Sequence, residues 1–245
     1  MHRKWISLGL VFLSVAALGA GGLRVILVDD FDDGVSDGWE ETDFTFGRGS
    51  FDASSGAYVL ETTEAIPVDD PFVAALDADW EPSEDELRFA NGTVRGTIRA
   101  NTDGTTVGFL LRDSHETESD YGFFGSTSFG TFYIEHFSLA ANPAAPQTIL
   151  AMADPREFPF EVGETYHLEA SAVGHRLTLK AWKVGDRKPA RPILCVTDRR
   201  LPPGSGSGIA SIVFFDPVPL MEAGVTEVRV SGTVDDITFT QGVVQ

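Results

Sequence analysis

The sequence predicts an all-β chain folded as a two-sheet antiparallel β-sandwich. Three observations carry this. Apolar and polar residues alternate with a period of two over runs of roughly six to nine residues, the pattern of a strand with one dry and one wet face. Turn signals recur along the chain, as at Ser55-Gly56, Asn91-Gly92, Asp103-Gly104, Gly185-Asp186 and Pro202-Pro203-Gly204. No long amphipathic helix interrupts them, and many short strands joined by Gly/Pro-rich turns must bury their apolar faces against a second sheet.

At the N-terminus, His2, Arg3 and Lys4 precede the apolar run "WISLGLVFLSVAALGA" and a set of small residues that includes Ala17, Gly19 and Ala20. This is the pattern of a secretory signal, here residues 1–22. The run is somewhat short of the ~20 residues that span a bilayer, and no basic stop-transfer cluster follows it. The expected mature chain, 23–245, is a single domain and a monomer, secreted to the extracellular space or periplasm without membrane insertion. Losing 1–22 leaves 16 Lys and Arg against 37 Asp and Glu, so the formal charge moves from −19 to −21. That balance argues against nucleic acid and anionic membrane as partners. Cys195 is the one cysteine and sits in the apolar run "PILCVTD", so no internal disulfide can form and a small buried hydrophobe is expected.

The first strand, "RVILV", runs into "VDDFDDGVSDGW", where Asp29, Asp30, Asp32, Asp33 and Asp37 crowd together. Read as an EF-hand loop starting at Asp29, the stretch places Phe31 at the third ligand position, where it cannot coordinate, and a strand where the entering helix should be. The EF-hand is rejected. Next, "TEAIPVDDPFVAALDADWEPSEDE" reads as the longest irregular stretch, with a short helical turn opened by Asp70 and Pro71. "TVRGTIRA" then puts Val94, Gly96, Ile98 and Ala100 on one face and Thr93, Arg95, Thr97 and Arg99 on the other. "VGFLLRD" sets Val107, Phe109 and Leu111 against Arg112, and "FYIEHF" sets Phe132 and Ile134 against Tyr133 and Glu135. "ETYHLEASA" buries Tyr166, Leu168, Ala170 and Ala172. "RLTLKAW" buries Leu177, Leu179 and Ala181, which leaves Trp182 on a polar face with Thr178 and Lys180. "VDDITFT" closes the chain.

Catalytic signatures are absent: no G-x-S-x-G elbow, H-E-x-x-H zinc site, phosphate loop or dinucleotide fingerprint occurs. His136 alternates with Phe132 and Ile134 and reads as a core or interface residue. The one-strand E-x-D-x-x-E arrangement of sandwich-fold glucanases is missing as well, although a dispersed carboxylate pair across a cleft stays open.

Several segments together resemble secreted bacterial concanavalin A-like (laminin-G-like) lectin/glucanase jelly-roll domains. They are "VDDFDDGVSDGW", "VGFLLRDSHETESDYGFF", "VGETYHLEASAVGHRLTLKAWKVGD", "GSGIASIVFFDP" and "GTVDDITFT", spread over nearly all of residues 25–240. The resemblance implies two opposed antiparallel sheets, adjacent first and last strands, a ligand face on one side of the sandwich, and often a structural calcium. Arg112 and Tyr121 match the family's pattern, with Asp-Tyr-Gly standing where Asn-Tyr-Tyr is more usual. A sugar site needs an aromatic platform and fixed polar groups, which makes Arg112, Tyr121, Tyr133, Glu135 and Trp182 the ligand-binding candidates. With "VDDF" beside "VDDI", Asp30, Asp235 and Asp236 become the calcium candidates. The expected function is a non-catalytic, lectin-like module for a polysaccharide or glycan, with no catalytic residue assigned. Two alternatives stand beside it: a glycoside hydrolase or lyase with a dispersed carboxylate pair, and an envelope or adhesion module binding protein.

Overall fold

The computed structural model describes residues 23–69, 76–80, 91–113, 119–139, 146–201 and 208–242. The expected signal segment, residues 1–22, and the helical turn expected at Asp70 and Pro71 lie outside them. Among the described residues there are seventeen strands and one short helix. The first half holds β1 (Leu23–Asp29), β2 (Trp39–Asp43), β3 (Gly49–Asp52), β4 (Tyr58–Thr62), β5 (Ile66–Pro67), β6 (Leu76–Trp80), β7 (Gly92–Ala100), β8 (Thr106–Asp113) and β9 (Ser119–Ser126). The second holds β10 (Thr131–Ser138), β11 (Gln147–Met152), β12 (Thr165–Val173), β13 (Arg176–Lys183), β14 (Leu194–Thr197), β15 (Gly208–Phe214), α1 (Pro217–Glu222), β16 (Glu227–Val228) and β17 (Ser231–Gly242).

The strands form two large antiparallel sheets. One has eight strands in the order β14-β13-β12-β7-β17-β4-β3, with β1 also on β17; the other has seven, in the order β11-β10-β9-β8-β15-β6-β2. Alternation decides what lies between them. Val94, Ile98, Leu168, Leu177, Leu179 and Phe239 of the first sheet meet Val107, Phe109, Phe123, Ile134 and Val213 of the second, all fully buried. Removing each such side chain from water contributes about 1.5–3 kcal/mol, so the facing rows drive the closure of the sandwich.

Glycines set how closely neighbouring groups approach, between the layers and within a sheet. A Cβ on Gly96 would stand 2.7 Å from Phe109 Cζ, so the absent side chain admits the opposing ring. On Gly108 it would stand 2.1 Å from the carbonyl oxygen of Phe123, which is backbone and cannot swing away. Gly108→Ala is therefore expected to destabilise the fold by about 3 kcal/mol, the upper part of the range for overpacking. A urea-unfolding midpoint indistinguishable from wild type would contradict this.

The first and last strands are neighbours, as expected: β1 pairs antiparallel with β17, with Asp29 opposite Ile237. The loop after β1 is plugged by Phe31, which is fully buried and stacks on Tyr58 with centroids 5.1 Å apart. Asp29 holds the loop by accepting the Phe31 N–H at 3.0 Å and the Trp39 indole N–H at 2.7 Å. The residue that spoils the EF-hand pattern is thus a core residue.

Three expectations are corrected. Residues 76–80, read as part of an irregular stretch with a helical turn, form β6, in which Leu76 and Ala78 point into the core and Asp77 and Asp79 point outward. Three apolar residues in five suit either period, and pairing with β2 and β15 selects the strand. Cys195 is exposed rather than buried, because β14 is an edge strand and Cys195 lies opposite Thr178 on its outward face. Arg112 does not continue the alternation of β8. A bulge opposite Gly208 and Ile209 places it in the left-handed region (φ 59°) and turns its side chain inward.

Candidate functional site

The five predicted ligand-binding residues fall in three places. Arg112 and Tyr121 make a clamp at one end of the sandwich. The Arg112 guanidinium donates to the carbonyl oxygen of Leu201 at 2.7 Å and to that of Gly174, in the turn between β12 and β13 of the opposite sheet, at 2.5 Å. It lies 5.8 Å from the Tyr121 ring centroid. Tyr121 donates its hydroxyl proton to Asp198 at 2.8 Å and accepts the Leu201 N–H at 3.0 Å. Burial lowers the Arg112 pKa, and it raises that of Tyr121 to about 12. Both side chains are buried, and their partners belong to the protein.

Trp182 lies half-exposed on the outer face of the eight-stranded sheet, opposite His167, with ring centroids 5.0 Å apart. Tyr133 and Glu135 lie on the outer face of the seven-stranded sheet. The structure therefore separates Trp182 from the tyrosine–glutamate pair by the whole thickness of the sandwich.

Tyr133 and Glu135 belong to the most unusual cluster in the molecule. On the outer face, Phe124 lies across two glycines: a Cβ on Gly122 would stand 2.1 Å from its ring and one on Gly108 2.7 Å. The ring meets Tyr133 at 5.4 Å and Phe214 edge-on at 5.1 Å, while Phe129 meets Tyr133 edge-on at 5.4 Å. With Leu110 and Ala210 they form a second, smaller apolar cluster outside the main core.

Carboxylates sit in that apolar setting. Asp216, between β15 and α1, lies 2.6 Å from the Thr106 hydroxyl, 3.2 Å from that of Ser126 and 3.3 Å from that of Tyr133. Burial raises its pKa, and these hydroxyls act in the opposite direction. Glu135 is 4 % exposed, and burial together with the charges of Asp216 and Asp120 pushes its pKa well above the usual carboxyl range. Burial likewise raises Tyr133 far above an ordinary phenol. Asp120, Asp77 and Asp79 share this sheet face and are also buried. Burial thus raises both carboxyls, Glu135 well above the usual range, while the hydroxyls of Thr106, Ser126 and Tyr133 favour the charged form of Asp216.

Sequence reasoning reached Tyr133 and Glu135 through alternation but missed Asp216, Thr106 and Ser126, which gather only when β8, β9, β10 and β15 lie side by side. Asp77 and Asp79 were legible as the polar phase of "LDADW" once that segment is read as a strand.

The calcium candidates meet at the seam in part. Asp235 has its pKa raised by burial, with the charges of Asp236, Asp32 and Asp30 adding to it. Asp235 and Asp30, however, accept the backbone N–H groups of Asp236 and Asp32. Among the described residues, no group of three or more acidic, histidine or cysteine side chains converges to hold a metal.

No protein-family model and no curated protein sequence matches this chain. Solved structures do. The catalytic domain of an endo-1,3-β-glucanase (laminarinase) from Thermotoga petrophila RKU-1 superposes with a TM-score of 0.55 at 12% identity, over 92% of this chain and 100% of that one. SCLam, a non-specific endo-β-1,3(4)-glucanase from family GH16, gives 0.54 at 10% identity over 90% and 92%. The CBM2 module of the evolved Dit of Lactobacillus casei BL23 phage J-1 gives 0.54 at 12% identity over 92% and 98%. At these identities the likeness concerns architecture, and it extends over the length of each chain. In fold, the protein is a concanavalin A-like jelly roll.

Proposed function

We propose that this is a secreted carbohydrate-binding protein whose ligand face is the outer side of the seven-stranded sheet. The observation that carries the reading is the buried Glu135–Tyr133–Asp216 cluster beside Phe124 and Phe214. Burying carboxyl groups together is costly, and such clusters concentrate at functional sites. Aromatic rings and carboxyl groups are the two components a glycan site requires, and here both lie buried beneath the outer side of this sheet. The shared fold supports the reading, since its bearers include a carbohydrate-binding module and two glucanases.

One observation favours a catalytic version. Glu135 and Asp216 gather on one sheet face, both raised by burial and Glu135 well above the usual range, and a carboxyl that holds its proton beside a second carboxyl is the pairing glycoside hydrolysis uses. A single experiment separates the readings. The mature chain is incubated with insoluble β-glucans and cellulose, and both retention and released reducing ends are measured. Binding without release, weakened in Glu135→Gln, supports the lectin-like reading. Release that Glu135→Gln abolishes while retention survives supports hydrolysis. Neither retention nor release on any polymer overturns the proposal.

A further inference from the structure

An acidic chain here carries a basic segment. From Arg176 to Arg200 there are eight Lys and Arg against two Asp, in a protein of formal charge −19. The topology lays part of that segment beside the arginines of β7, on the outer face of the eight-stranded sheet and on the opposite side of the sandwich from the Glu135 cluster.

The register sets Arg95, Glu169 and Lys180 in one row across β7, β12 and β13. Glu169 hydrogen-bonds the Arg95 guanidinium, and it holds Lys188 at 2.6 Å and Lys180 at 3.4 Å. Although burial works to raise its pKa, the bonds from Lys188 and Arg95 bring it below the usual value. One carboxylate thus serves three cations. Arg99 stands four residues from Arg95 along β7, and Arg176 stands four from Lys180 along β13 in the opposite direction, each step about 13 Å. Both are exposed, and neither forms an ion pair with another described residue; Arg176 makes one bond, to the Cys195 sulfur at 3.2 Å. The result is a diagonal line of cations, Arg99, Arg95, Lys180, Arg176, with Lys188 braced 5.6 Å from the Trp182 ring beside it.

We propose that this face docks an acidic polysaccharide, a single chain of uronate- or sulfate-bearing sugars laid along the diagonal. Charge complementarity selects an anion, and the linear order of the cations selects a polymer. Arginine forks match carboxylate and sulfate oxygens in pairs. The narrowness of the line selects a thin chain over a duplex or a bilayer. Both of those present anionic charge over a wide area and would meet the acidic side of the same sheet, where Asp235 lies on β17.

The full mature chain is tested on polygalacturonate, dextran sulfate, unsubstituted dextran, single-stranded DNA and anionic vesicles, at low and high salt. Expected is retention on polygalacturonate or dextran sulfate that salt abolishes, with none on dextran. The double variant Arg99→Glu/Arg176→Glu should bind about tenfold more weakly or worse, since two attractions become repulsions. Arg156→Glu, at an exposed pair with Asp154 elsewhere, should bind like wild type. No retention on either anionic polysaccharide overturns the proposal, as does equal binding by the double variant or tighter binding to DNA or vesicles. Because the site lies on the other sheet, Glu135→Gln leaves this binding intact, so failure here and failure of the glycan face are distinguishable.

Discussion

Arg112→Ala is expected to cost about 3–5 kcal/mol of stability, or a fall of roughly 10 °C in Tm for a chain of this size. Arg112 is 3 % exposed, and its guanidinium bridges the two sheets through the carbonyls of Leu201 and Gly174. Truncation leaves both carbonyls without that donor, opens a void under Tyr121 and frees the segment from Asp198 to Leu201. Arg112→Lys should rescue little, because one ammonium cannot reproduce a fork that spans two carbonyls. Arg112→Gly is informative in another way. It loses the same bonds but relieves the φ of 59°, so it should be roughly 1 kcal/mol more stable than the alanine variant. Urea unfolding reads all three. An alanine variant with wild-type stability and lost polysaccharide retention would return Arg112 to the ligand role that its position in the sequence suggested.

Glu135→Gln should reverse the sign of an ordinary acid-to-glutamine change by stabilising the protein at neutral and alkaline pH. The folded-state pKa of Glu135 is raised by burial and by Asp216 and Asp120. Below its unfolded value of about 4.5 both states are protonated, and the group costs nothing electrostatically. As pH rises above that, the unfolded chain ionises while the folded one holds its proton, so stability falls until the folded carboxyl also titrates. Glutamine has no such proton to lose. The two proteins should therefore melt alike near pH 4, with the variant clearly the more stable of the two by pH 8. Parallel melting curves across that range would show that Glu135 is not the proton-holding member of the cluster. The same measurement bears on chemistry, because a carboxyl that stays protonated at neutral pH is what a general acid requires.

How much was legible beforehand varies element by element. "TVRGTIRA", "ETYHLEASA" and "RLTLKAW" became β7, β12 and β13 with their faces as read, since a period of two admits one phase against an apolar core. "LDADW" was misread because five residues do not define a period. Arg112 was assigned to the wrong face because a single bulge shifts the phase. Cys195 was misplaced because apolar neighbours do not reveal that a strand lies at an edge. The basic stretch from Arg176 to Arg200 was visible in the sequence but hidden by the net charge, and β7 lies far from it along the chain.

By itself, then, the sequence determined the local terms: strand or turn, the inward side chains, the acidic total and the pairing of first with last strand that its resemblance implied. Only the tertiary structure decided which distant polar groups share a surface. It gathered Glu135 with Asp216 on one sheet and Arg95 with Lys180 on the other, and it closed Arg112 and Tyr121 into a clamp. The reason is physical. Alternation follows from backbone geometry within a strand, whereas a site depends on the order and register in which strands of low sequence proximity are laid side by side.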